Sequence, residues 1–280
     1  MILIAMPDWW WLSVDLAIIL VLFGGVRQFR ALKSARTGNL TAALALSCAA
    51  GAVLSRHPVL EPGLVVSAVL IGALAGSFVA VRVNMVQVAA MVAFQHGAGG
   101  VAAFLVSFVE FTRDAAALTA VGRLAGILGM TVGAATFSGS MVAGGKLADW
   151  LKTAPVLLPK HSTVLLVLAA LTLALGFLGG SSTGPALPWA LLALALVSVL
   201  LGIVFSIRIG GADMPVLISF LNATAGFAAA FCGIIVQSRP LIACGATVAS
   251  SGSVLTYFMC KAMNRSLVGV FAGVRGVSAP

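Results

Sequence analysis

Apolar positions along this 280-residue chain fall into nine long runs, at about 9–26, 38–55, 63–81, 86–109, 120–144, 162–179, 187–207, 214–236 and 240–260, with charged residues confined mostly to the short connections between them. A helix needs about 20 apolar residues to cross a hydrocarbon core of ~30 Å, and the shorter runs here lie near the lower limit. The pattern predicts an all-α integral membrane protein, a polytopic bundle of about nine transmembrane helices forming a single transmembrane domain over 1–280. The longest connection runs from Lys146 to His161 and contains Pro155 and Pro159, so no soluble domain fits between spans.

Composition excludes the soluble classes. With 61% apolar residues, 8% charged residues and a mean hydropathy of +1.15, the chain has too little polar surface to cover a water-soluble domain. Its net charge of +9 would point to nucleic acid in a soluble protein, but these basic residues sit between apolar runs, where they set membrane orientation instead. If the connection after the first run is cytoplasmic, that side holds Arg27, Arg30, Lys33, Arg36, Arg82, Lys146, Lys152, Lys160, Arg208, Lys261, Arg265 and Arg275, leaving Arg56, Arg113, Arg123 and Arg239 opposite. The bias predicts an external N-terminus and a cytoplasmic C-terminus; the expected location is a bacterial inner membrane. No basic residue precedes Asp8 and no small-residue cleavage site follows a short apolar stretch, so a removable signal peptide is not expected. Cys48, Cys232, Cys244 and Cys260 show no metal-binding spacing and read as packing residues.

Polar residues inside the runs are the candidates for function, because an unpaired amide or imidazole in hydrocarbon costs several kcal/mol by order of magnitude. Given the orientation above, His96 and Asn222 lie roughly 12–15 Å deep at ~1.5 Å per residue, at the level of Gly252. An imidazole titrates near neutrality, so this layer suits a proton relay, while interhelical hydrogen-bond glue is the competing reading. Small residues recur at helical spacing in the fifth run (Gly122, Gly126, Gly129, Gly133, Thr136, Ser140 and Gly144) and in the ninth (Gly245, Ala249 and Gly252, with Ser250 and Ser251 beside them). Gly97, Gly99 and Gly100 surround the turn after His96, and all three groups predict close helix packing.

Other motifs carry no chemistry where they stand. Gly97-Ala-Gly99-Gly100-Val-Ala102 fits a dinucleotide fingerprint but lacks the strand and water-exposed helix start that this motif requires. The sequons at Asn222 and Asn264 would be buried and cytoplasmic respectively, and His57 and His161 read as solvated loop residues. There is no paired-carboxylate site, nucleophilic triad or metal cluster. Asp213, just before Met214-Pro215, reads as a cap for the eighth helix, and Arg265 as an anchor on the same face.

Four segments carry a resemblance: Ile209-Gly-Gly-Ala-Asp-Met-Pro-Val, Ser219-Phe-Leu-Asn222, Gly245 to Tyr257, and Cys260-Lys-Ala-Met-Asn-Arg-Ser266. They resemble the membrane domain of the beta subunit of proton-translocating NAD(P) transhydrogenase. Ala135-Thr-Phe-Ser-Gly-Ser140, Gly145-Lys-Leu147 and Leu158-Pro159 are similar to its middle segment, and the likeness runs over about 80–270. In that family the membrane domain conducts protons, while hydride passes from NADH to NADP between separate soluble domains.

The resemblance implies that His96 is the proton-relay residue and Asn222 its polar partner. It also implies that Gly245, Ser250, Ser251 and Gly252 belong to the close-packed helix lining the pathway, and that Asp213 and Arg265 couple to an NADP-binding domain. It departs from the family at Ala249, where many relatives carry Gly, and at Asn84-Met-Val-Gln-Val-Ala-Ala-Met91, which lacks the usual Met-Pro. The family's NADP-binding domain would follow the last helix, and the chain stops at Gly276-Val-Ser-Ala-Pro280. The expected function is therefore that of a proton-conducting membrane subunit, not catalytic for hydride transfer by itself. It would bind no cofactor, with NAD and NADP on partner domains. The expected partners are a transhydrogenase alpha-type subunit, an NADP-binding domain and the lipid bilayer, in an oligomer without nucleic acid. A non-catalytic structural subunit of a larger membrane complex is the alternative; a stand-alone transporter is disfavoured because no paired broken helices or two-half repeat can be read.

Overall fold

The computed structural model describes residues 8–28, 32–56, 61–113, 115–182 and 184–272; Arg30, His57 and Arg275 lie outside them. Among the described residues there are nine long helices apolar enough to cross a membrane, the number expected. They are α1 (Asp8–Gln28), α2 (Ala35–Arg56), α3 (Pro62–Arg82), α4 (Val88–Arg113), α5 (Ala120–Leu147), α6 (His161–Ser181), α7 (Leu187–Ile207), α8 (Met214–Ile235) and α9 (Arg239–Ala262), followed by the short α10 (Leu267–Phe271). The chain divides into two compact units, 1–83 and 84–280.

Local chemistry explains where the helices start. Pro stands in the first turn of α3, α7, α8 and α9, where its missing N–H has no helical partner to lose. The Thr119 hydroxyl accepts from Gly122 N at 3.1 Å to cap α5, and Ser266 accepts from Gly269 N at 3.0 Å to cap α10. Asp213 occupies the corresponding position of α8, yet its side chain makes no cap; it pairs with Arg265 instead. That part of the sequence reading is corrected: a guanidinium offers a carboxylate a stronger, charge-assisted partner than a backbone amide does.

In the first unit α1 and α2 form a packed hairpin in which Gly25 lets the backbone of Gly38 and Ala42 approach. Asp15, buried at mid-helix, pairs with Arg56, whose guanidinium also donates to Trp11 O at 3.2 Å and lies 4.7 Å from the Trp11 ring centroid. An acid in an apolar run was the signal for this pair, and the sequence reading passed over it. The most apolar 18-residue window of α3 contains no buried residue.

The second unit is built around α5, the helix with the most buried residues, which packs against α4, α7 and α8, with α9 lying along α8. The glycine stripe explains why. A Cβ at Gly133 would stand 2.6 Å from Gly100 O, and one at Gly100 would stand 2.7 Å from Gly133 O, so α4 and α5 touch backbone to backbone.

Side chains at the loop ends tie helix termini together. Lys146, read from sequence only as a basic loop residue, belongs to α5, is buried, and donates from Nζ to Ile207 O and Ile209 O, each at 2.7 Å. A positive charge there complements the carbonyl end of α7. His161 is likewise not solvated, a second correction: it is buried, its ring Nδ1 accepts from Leu158 N at 3.2 Å, and Nε2 lies 2.9 Å from Val204 O. Loop polarity alone does not expose a residue whose ring joins the start of α6 to the end of α7. Lys146→Met should lower stability by about 2 kcal/mol, the order expected for losing charge-assisted hydrogen bonds and leaving carbonyls unpaired; a thermal-unfolding midpoint equal to that of the parent protein in the same detergent would refute the pinning role.

Candidate functional site: a polar layer in the helix bundle

The site begins with two residues at matching positions on parallel helices. His96 lies eight residues into α4 and Asn222 eight into α8, about 12 Å from the same end of each helix at 1.5 Å per residue. The helices pack together, and the Asn222 side chain lies beside the His96 imidazole, close enough to influence it. The imidazole is half-buried, and its Nδ1 is fully buried with no protein partner.

The layer is wider than the pair. A Cβ on Gly97 would lie 3.2 Å from Ser140 Cβ, so Ser140 of α5 faces α4 one residue beyond His96. The hydroxyls of Ser140, Thr136 and Ser206 are all buried without a protein partner. Thr136 and Ser206 also line a cavity of about 260 Å³ between α5, α7 and α8, with Thr224 on its far wall. Buried hydroxyls without protein partners are the groups that internal water commonly satisfies. Sequence reasoning placed Thr136 and Ser140 in the small-residue stripe and missed Ser206, whose small polar side chain near the end of α7 gave no periodic signal.

The ninth helix closes one side through its small residues. A Cβ on Gly252 would stand 2.7 Å from Ala223 N, beside Asn222, and one on Gly245 would stand 2.8 Å from Gly226 O. Ala249 is accommodated because it faces Gly226, so the exchange of glycine roles across the α8–α9 crossing preserves close packing despite the departure from the family pattern. Gly99, by contrast, faces open space.

The remaining expected residues separate. Ser250 and Ser251 are exposed and turn back onto their own helix, donating to Ala246 O at 2.8 Å and Val248 O at 3.1 Å. They line a shallow outward groove on α9 with Thr247, Val254 and Phe258, away from the α8 crossing. Asp213, at the start of α8, meets Arg265, just past the end of α9, with Arg265 Nη2 to Asp213 Oδ2 at 3.0 Å. This pair is partly exposed, so its coupling energy should be about 1 kcal/mol. A double-mutant cycle with Asp213→Asn and Arg265→Gln checks this; additive unfolding effects would mean that the contact contributes nothing.

Metal chemistry has no foothold in this layer, since no group of three or more His, Cys, Asp or Glu is clustered among the described residues. All four cysteines are free, Cys232 and Cys260 buried and Cys48 exposed. The arrangement is one titratable ring, one amide and several hydroxyls inside an apolar bundle, which is suited to moving or holding a proton rather than to making covalent bonds.

Comparison with known proteins gives the same family as the motifs. The profile described as "NAD(P) transhydrogenase beta subunit" matches residues 12–279. Two relatives named "NAD(P) transhydrogenase subunit beta", one from Rhodospirillum rubrum and one from a designated strain of that species, are each 37% identical over 248 residues. Those matches cover 86% of this chain and 53% of the relatives, so the chain spans about half the length of the curated relatives it matches. The match covers all but the last residue of the second unit and most of the first, including every residue of the polar layer, and the chain belongs to the NAD(P) transhydrogenase beta subunit family as its membrane part.

Proposed function

We propose that this chain is the proton-conducting membrane part of an NAD(P) transhydrogenase, coupling proton translocation to hydride transfer between NADH and NADP on partner domains. The observation that carries the reading is the His96 imidazole inside α4, beside Asn222, with Nδ1 buried and unpartnered. A buried imidazole nitrogen with no protein partner leaves a position at which a water or another carrier can exchange a proton with the ring. The buried hydroxyls of Ser140, Thr136 and Ser206 extend the polar layer into α5 and α7.

The nucleotides belong elsewhere in this reading. Every regular element among the described residues is helical, so this part offers no strand, Gly-rich turn and helix start to cradle a pyrophosphate. NAD and NADP are therefore assigned to an alpha-type subunit and an NADP-binding domain. The end of the second unit that carries Lys146, Lys152, Lys160, Arg208, Lys261 and Arg265 faces the cytoplasm, following the positive-inside bias. The Asp213–Arg265 pair at that end is where the NADP-binding domain meets the membrane part. Coupling is reciprocal: if protonation of the layer shifts the nucleotide domain between states, nucleotide occupancy shifts the proton affinity of the layer by the same free energy.

The test is proton movement across the membrane of liposomes containing the assembled complex, measured during hydride transfer from NADH to NADP. A change of luminal pH that accompanies turnover and that an uncoupler abolishes is the expected result. Hydride transfer at an unchanged rate with no proton movement would leave the structural-subunit reading in its place.

A further inference from the structure

Arg208 does not fit the account above. It follows α7 directly, is only 4% exposed, and has no hydrogen bond or ion pair among the described residues; its Nε is buried without a partner. Burial pulls its guanidinium below the ordinary arginine value. An arginine nevertheless remains charged, and a buried charge with no counter-charge is among the most costly features a fold can carry.

Arg208 lines a groove of about 510 Å³ between the start of α6 and α10. One wall is Leu165 and Leu166 of α6, and the other is Val268 and Phe271 of α10. Leu166 and Val268 are 70% and 76% exposed, so the trough opens outward along apolar side chains. Its polar end is Ser162, in the first turn of the 21-residue α6. The backbone N–H and hydroxyl of Ser162 have no partner among the described residues, as neither is engaged where Thr163 N and Val164 N both bond to Lys160 O. The groove thus joins a buried guanidinium, a helix N-terminus and a hydroxyl to a greasy channel beside them. The first three are phosphate-binding groups. The last suits an acyl chain.

We propose that this groove is a binding site for an anionic phospholipid of the adjacent leaflet, its phosphate held by Arg208 and the Ser162 end of α6 and one acyl chain lying between α6 and α10. The occupant follows from charge complementarity: no acid among the described residues pairs with Arg208, and the apolar walls exclude a soluble anion as the whole ligand. Basic pockets at helix ends on the positively charged side of membrane proteins are suited to such head groups. The site lies away from the His96 layer and does not depend on proton conduction.

The experiment uses the complex extracted with its surrounding membrane into polymer-bounded nanodiscs. Native mass spectrometry then reads the lipids retained after the disc is disrupted, for the parent protein, Arg208→Gln and Val268→Trp. One retained phosphatidylglycerol or cardiolipin per chain is expected in the parent and at least a tenfold lower occupancy in both variants, with helical content by circular dichroism unchanged. Thermal unfolding of the delipidated complex supplies a second readout. Phosphatidylglycerol should raise the midpoint of the parent and not of Arg208→Gln, whereas phosphatidylcholine and inorganic phosphate should raise neither. Equal lipid retention by Arg208→Gln overturns the proposal. So does a midpoint raised as much by inorganic phosphate as by phosphatidylglycerol, which would mark a free-anion site. A structure of the complex with Arg208 paired to a partner chain's carboxylate and no lipid in the groove would overturn it as well.

Discussion

In the assembled complex, His96→Ala is expected to lower proton-coupled turnover by about two orders of magnitude or more, the scale for loss of a positioned acid–base group. Assembly should survive. The imidazole is half-buried rather than sealed in the core, and its removal from beside Asn222 leaves an amide next to hydroxyl-bearing helices rather than an uncompensated charge. His96→Gln separates the two possible roles. Glutamine keeps a polar contact for Asn222 but cannot titrate near neutrality, so a hydrogen-bond spacer would recover activity with it and a relay would not. The measurement is uncoupler-sensitive proton movement alongside hydride transfer at matched protein amounts. Full activity of His96→Gln would reassign the residue to packing and leave the polar layer without its titrating member.

Gly252→Val should prevent the α8–α9 hairpin from closing. A Cβ at that position would stand 2.7 Å from Ala223 N, 2.9 Å from its Cα and 3.0 Å from its Cβ. None of these atoms belongs to a flexible side-chain end, so relief requires the helices themselves to separate. The cost should be at or above the ~1–3 kcal/mol typical of overpacking, because a branched side chain is forced against backbone. Separation here also moves Asn222, the residue before Ala223. Loss of folded protein, read by size-exclusion profile and thermal midpoint, is the expected result. Gly99→Ala is the control, since nothing stands within 4 Å of a Cβ there. If the two variants behave alike, the close crossing is not what holds the hairpin.

The Ser250 and Ser251 placement changes what to expect from those residues. Resemblance assigns them to the pathway-lining helix, but in this chain they look outward from α9. Any part they play in proton transfer must therefore be completed by an element that covers that face of the second unit. Gly245 and Gly252 act differently, as points of contact between α8 and α9.

The sequence by itself determined the membrane class and the number of helices, because hydrocarbon imposes length and apolarity on each span separately, without reference to its neighbours. It also determined that His96 and Asn222 stand at matching positions along their helices, since rise per residue is fixed once a helix end is known. The glycine stripes announced close packing, but not which helix would fill them: that α5 meets α4 at Gly100 and Gly133 while α9 meets α8 at Gly226 and Gly245 depends on tertiary contacts. Charges in the connections were legible as orientation signals and illegible as partners. Lys146, His161 and Arg208 all read as loop polarity, and the fold buries each of them, the first two against backbone carbonyls and the third beside an apolar groove. Asp213 read as a cap and became half of an ion pair. Local spacing fixes where a polar group sits along its own helix; what it binds is decided by the helices packed around it, which lie tens of residues away in the chain.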